Sequence, residues 1–165
     1  MSILLGGLNG ASGLLLTRGL GAGSIRIYAT ALEALAAWFS TQDDLQDLLS
    51  DGKLWEWEAP EGTRLPYAVV FEVSDVDELT TGDPFVEKVT LQFNFFASTA
   101  LAAKTIGQAF KAALKNAPLM VDNQRVAHCL PNNALLTKAE GKGPGGKDVH
   151  MQMLEFEVML ARSTV

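Results

Sequence analysis

Two segments of this 165-residue chain alternate apolar and polar side chains so regularly that they constrain the fold more than any other feature. Within Phe85–Ala97, Val89, Leu91, Phe93 and Phe95 share one face, and Lys88, Thr90, Gln92 and Asn94 share the other. Within Val149–Arg162, one face carries His150, Gln152, Leu154, Phe156, Val158 and Leu160. Its other face carries Met151, Met153, Glu155, Glu157 and Met159. A period of two means strands, and one consistently apolar face means a sheet covered on that side. The methionines lean the second face of the last strand toward apolar as well. Methionine is plastic enough to serve as a contact surface, so this strand is expected to be partly covered on both sides.

The remaining elements fall around these strands. Thr30-Ala31-Leu32-Glu33 has capping-box spacing and opens a helix whose apolar face is Leu32, Leu35, Ala36 and Phe39. A short helical turn is expected over Asp43–Leu49, ended by Asp51-Gly52. Leu54–Glu58 alternates aromatic and acid, which puts Trp55 and Trp57 on one face of a strand. Pro66–Val76 is a further strand, with Val69, Phe71 and Val73 on one face, followed by a polar acidic turn over Ser74–Pro84. A helix is expected over Thr99–Asn116, capped by Thr99. Ala103, Ile106, Phe110, Ala113 and Leu114 form its buried stripe, with Lys104, Gln108, Lys111 and Lys115 opposite. Leu119–Val121, Arg125–Leu130 and Ala134–Ala139 are short strand candidates, and Gly141–Lys147 is a glycine-lysine hairpin tip. The order predicts an α+β fold: an antiparallel-rich mixed sheet with two main helices packed on one face.

Residues 1–28 are expected to be an extended glycine-rich N-terminal arm, and residues 29–165 the α+β domain. Seven glycines in the arm argue against a stable helix or strand, while Leu14, Leu15, Leu16 and Leu20 are too apolar for a solvated linker. Such an arm straps its own domain, docks on a neighbouring subunit or partner, or stays disordered. It has no charge before Arg18, yet its longest aliphatic run is Leu14–Leu16 and no basic residue precedes it. A signal peptide or membrane span fits poorly, and the chain is expected to be soluble and intracellular.

Several kinds of chemistry are absent. There is no P-loop, no dinucleotide glycine fingerprint, no His-Glu-x-x-His and no Gly-x-Ser-x-Gly. Cys129 is the one cysteine, and with two histidines it cannot build an all-Cys/His zinc site. Asp75, Asp77 and Glu78 could bind a cation but read better as a solvated turn, so neither metal nor cofactor is expected. A pI near 4.8 argues against a protein dedicated to gripping DNA.

The segment Leu65-Pro66-Tyr67-Ala68-Val69-Val70-Phe71 is similar to the Pro-Tyr strand of a known family. Val89–Ala97 resembles that family's central strand, leading into an alanine-rich helix at 99–116, and His150–Leu160 resembles its closing strand. The family is that of the tail-completion or tail-terminator proteins of long-tailed bacteriophages, and the resemblance spans roughly residues 29–163. It implies a structural virion protein without enzymatic activity, assembled in the host cytoplasm. Its expected form is a ring, usually of six copies, at the head-proximal end of the tail. The implied partners are further copies of the chain, the tail tube protein, a head–tail connector or stopper protein, and genomic DNA passing through the lumen without specific binding. A head–tail stopper, a tail tube subunit or a small enzyme are the rival readings.

Candidate contact residues are Leu14, Leu15, Leu16, Arg18 and Leu20 of the arm, Trp55 and Trp57, and Asp75, Asp77, Glu78 and Asp83 of the acidic stretch. Lys111 and Lys115, Lys142 and Lys147, and Met151 and Met153 complete the set. Residues 43–87 hold 13 acids and two bases, whereas residues 88–147 hold two acids and eight bases. Where those segments form separate faces, unlike ends of neighbouring copies can meet head to tail and close a ring. Association should then weaken with salt, since exposed charges are screened beyond about 8 Å at physiological ionic strength. Lys111→Glu and Lys115→Glu should weaken it further, as read by the association constant across a salt series. An association indifferent to salt and to both changes would mean an apolar interface.

Overall fold

The computed structural model describes residues 30–78, 86–115, 117–121, 124–142 and 148–161. The arm residues 1–28, Asp83 and Lys147 lie outside them. In chain order the elements are α1 (Ala31–Phe39), α2 (Asp43–Gln46), β1 (Leu54–Glu56), β2 (Tyr67–Glu78) and β3 (Val86–Ala97). They continue with α3 (Ala100–Leu114), β4 (Met120–Val121), β5 (Gln124–Lys142) and β6 (Asp148–Ala161). The strands form one sheet in the order β1-β2-β3-β6-β5-β4, with β1 parallel to β2 and every other pair antiparallel. This is the expected α+β architecture, with the helices on one face.

Both main helices start where the side-chain chemistry says they should. The Thr30 hydroxyl accepts the Glu33 amide at 3.1 Å, and the Thr99 hydroxyl accepts the Ala102 amide at 3.1 Å. Each satisfies one of the four amides left over at a helix start, typically worth ~1 kcal/mol. Regular helix in α2 stops at Gln46, earlier than expected, and the chain continues in tighter turns: the Leu49 amide donates to the Gln46 carbonyl and the Gly52 amide to the Leu49 carbonyl, each at 3.0 Å. Leu45 and Leu49 are nonetheless buried, and Gly52 ends the segment with φ +60°, a value glycine adopts without strain.

The core is a one-sided aromatic cluster. Phe93 and Phe95 from β3, Phe156 from β6 and Phe110 from α3 are all fully buried. The Phe110 ring lies 4.8 Å from Phe95, 6.2 Å from Phe93 and 5.7 Å from Phe39 of α1, so one side chain joins both main helices to the central strand. Helix α3 approaches β6 closely at Gly107, where an added Cβ would sit 2.9 Å from Cγ of Gln152 and 3.4 Å from a Leu154 methyl. Glycine costs a helix interior about 1 kcal/mol relative to alanine, and this close approach accounts for it. Gln152, the buried polar residue beneath that crossing, donates to the carbonyls of Leu135 at 3.1 Å and Met153 at 2.9 Å. Its burial is therefore satisfied by hydrogen bonds into the strands.

Three expectations change, and the orientation of β2 is fixed. Trp57 does not continue β1: its φ of 65° turns the chain out of the strand, and the side chain is 63% exposed. Val69 and Phe71 do share a face of β2, but it is the face away from the helices, and Ala68 and Val70 face the core, paired with Phe95 and Phe93. The strand candidates after α3 join into the single 19-residue β5. Pro131, which lacks an amide hydrogen, is absorbed by a bulge between Pro131 and Asn133 on a strand near the sheet edge. Finally, Ser74–Glu78 belong to β2 rather than to a turn, with Asp75, Asp77 and Glu78 registered against Val89, Glu87 and Val86.

Phe110→Ala should cost ~3–5 kcal/mol in denaturant unfolding, as large-to-small core changes do, whereas Leu101→Ala on the exposed side of the same helix should stay within ~0.5 kcal/mol. Equal effects would show that the helix layer is not organised around Phe110. Cys129 is buried, and burial pushes its thiol up to about 12. An unfolded thiol ionises several pH units lower, so the protonated buried thiol favours the native state fully below that range, and the contribution is lost as pH rises toward the folded value. A thiol reagent at pH 8 should label Cys129 slowly in the native protein and rapidly in denaturant. Equally fast labelling would contradict its place in the core.

Candidate assembly interface

The face of the sheet opposite the helices has a mixed chemistry. Tyr67 of β2 stacks on Phe96 of β3 with ring centroids 4.7 Å apart, and Phe71 of β2 stacks at 5.8 Å on Trp57, which follows β1. Across β3 and β6, Lys88 pairs with Glu157 at 2.9 Å, both side chains being mostly shielded from solvent. Met151, Met153 and Met159 share this face, registered against Phe96, Asn94 and Lys88 and each half-buried. Strand β6 is thus covered by α3 on one side. Among the described residues, no helix supplies the second covering expected for its methionine face.

At the β5 edge the apolar surface continues. Leu130, Leu135 and Leu136 are 45%, 51% and 43% exposed. Leu135 and Leu136 are adjacent in the strand and so project to opposite faces, which means that β5 extends past the cover of the helix layer. Strand β4 meets only Gln124 and Arg125 of β5. Among the described residues, the outer edge of β5 beyond that point has no strand partner. Exposed leucines on an unpaired edge are the kind of surface that binds another chain. Sequence reasoning missed these residues, because Pro131-Asn132-Asn133 read as a break between two short strands. The signal that could have found them is the uncharged run Leu130–Thr137.

The sequence-based contact residues scatter over the fold. Trp55 is half-buried in β1, under the Lys53 ammonium at 5.4 Å, and its indole N–H is buried without an acceptor among the described residues. Trp57 joins the helix-free face through Phe71. Met151 and Met153 lie on that face too, registered against Thr137 and Leu135 of β5. Lys111 and Lys115 lie at the C-terminal end of α3, in the helix layer. The acidic α2 packs beside α3, so acids of the first segment and lysines of the second share that layer. Lys142 ends β5, opposite Asp148. The structure therefore brings Trp57, Met151 and Met153 onto one face, and leaves the lysines of α3 in the opposite layer.

Cys129 faces the core and stays protonated at neutral pH, which removes it as a thiolate nucleophile. Among the described residues, no group of three or more His, Cys, Asp or Glu side chains could hold a metal ion. No described helix is long and apolar enough to cross a membrane.

No curated protein matches the sequence. In solved structures, the chain is similar to a component of the virion of the native gene transfer agent (GTA) particle. That likeness has a TM-score of 0.57 and 15% sequence identity, covering 77% of this chain and 92% of the other, and it supports the fold described above. Residues 33–152, from the first turn of α1 into β6, match the family model of Tail completion protein gp17, and the chain therefore belongs to that family of phage tail proteins.

Proposed function

We propose that this tail completion protein works as a closed ring of six copies at the head-proximal end of the phage tail, ending tube growth and joining the tail to the head connector. The observation that carries the reading is the family match over residues 33–152. The surfaces support it. An exposed β5 edge and a helix-free sheet face are unlike each other. Unlike surfaces on one subunit make heterologous contacts, which close when the rotation between copies divides a circle. The contacts we assign are the arm residues Leu14–Leu16, Arg18 and Leu20, the pair Trp55 and Trp57, and the methionines Met151 and Met153. The acidic stretch Asp75–Asp83 and the lysines Lys111, Lys115, Lys142 and Lys147 bear on the neighbouring copy, the tube protein and the connector.

In this reading residues 1–28 are an arm and the remainder is the ring-forming domain. The chain has no catalytic role and needs no cofactor. DNA passes through the lumen without being gripped, in keeping with the net charge of −6, because like charge prevents adhesion to phosphate.

Mass photometry and negative-stain imaging of the purified protein are the test. Single closed rings of one mass are expected, together with capping of preformed tail tubes on addition of the protein. Long tubes growing from this chain alone would instead identify a tube subunit, because a terminator lacks the two matching axial faces that a polymer requires.

A further inference from the structure

The outer edge of β5 is unusual in what it lacks. Sheet edges are commonly guarded by lysine, proline, inward charges or a short strand. Here β5 runs for 19 residues, and Leu130–Thr137 holds no charged side chain. Pro131 sits at the bulge, so Asn132–Thr137 beyond it has no guard of its own. The Ala134 amide is met by the side chain of its own neighbour, Asn133 Oδ1 at 2.8 Å, a local bond that an incoming strand can replace. Leu135 and Leu136 expose apolar surface on both faces at the same place.

We propose that the leucine run Leu14–Thr17 of the chain's own N-terminal residues adds as a strand along this edge. Strand addition draws its affinity from main-chain hydrogen bonds and its selectivity from alternate side chains. The chemistry of the two segments matches. Residues 1–17 carry no charge, as Leu130–Thr137 carry none. In an extended strand, Leu14 and Leu16 fall on one face and Leu15 on the other, which supplies apolar cover beside both Leu135 and Leu136. Gly13 and Gly19 flank the run and let the backbone enter and leave the edge at any angle.

The path is short enough. Thr30 caps α1, and α1 packs beside β4, at the same side of the sheet as the β5 edge. The 13 steps from Thr17 to Thr30 span up to ~45 Å when extended, at about 3.5 Å per residue. That length reaches β5 of the same copy or of an adjacent one. The strand addition does not depend on ring formation, so it can stand or fall separately from the proposed function.

Hydrogen exchange on the full-length protein tests it, comparing wild type with Leu15→Pro, whose proline cannot donate to a ladder. The edge-facing amides among residues 132–137, which β6 cannot bond, should be protected in the wild type and should exchange about tenfold faster or more in the variant, with α3 and β3 unchanged. A second measurement uses Leu15→Cys with Leu135→Cys and a short bis-maleimide, Cys129 being buried and unreactive. Joining of the two introduced thiols, within one chain or between copies, supports the inference. Unprotected edge-facing β5 amides in the wild type, protection indifferent to Leu15→Pro, or no arm-to-edge cross-link would overturn it. So would covalent dimers formed by Leu135→Cys alone, which would make a second β5 the occupant.

Discussion

Phe110 holds the fold together. Its ring touches aromatic side chains of β3 and of α1, so the helix layer and the sheet meet through one fully buried side chain. Helix α3 must lie close to β6 for that contact to form, and Gly107 is what permits the approach. Because the aromatic cluster lies on one face of the sheet, all the helices are committed to that face. The remaining surfaces, the helix-free face and the β5 edge, follow from this asymmetry.

A sheet covered on one side usually turns a polar face to water. This one does so only in part. The Lys88–Glu157 pair, Gln92 and Asn94 are polar, whereas Trp57, Phe71, Met151 and Met153 are not. Gln92 donates to Asn94 at 3.0 Å, so the polar groups there also bond to one another. Apolar side chains interleaved with paired polar groups characterise a surface that spends part of its life covered. A tail completion protein assembles with other virion proteins, and in the function proposed above that assembly supplies the cover.

How much of this was legible in the sequence depended on how local each determinant is. The alternation of β3 and β6 could be read directly, because burial on one face imposes a period of two. The caps at Thr30 and Thr99 were legible for the same reason, since an N-cap acts on amides two or three residues away. Three features were not. Trp57 takes a left-handed backbone that its residue type disfavours, held by a hydrogen bond from its amide to the Val70 carbonyl at 3.0 Å, a partner 13 positions away. Strand β5 runs through Pro131 because a bulge near the edge tolerates a missing donor, which depends on strand order rather than on sequence. Gly107 reads as a weak point in a helix until β6 is placed against it. The helix-free face was half legible: the half-buried methionines of β6 could be read from alternation and residue type, whereas the place of Trp57 could not. The edge leucines were not, because an edge is defined by the neighbours a strand lacks.

The central claim is that the β5 edge and the adjoining helix-free face are covered in the assembled tail. Hydroxyl-radical footprinting of the isolated protein and of intact virions measures this residue by residue. The account predicts that Met151 and Met153 react readily in the isolated subunit and are shielded in the virion, while Leu101 on the outer side of α3 changes little. Equal labelling of the two methionines in both states would contradict it.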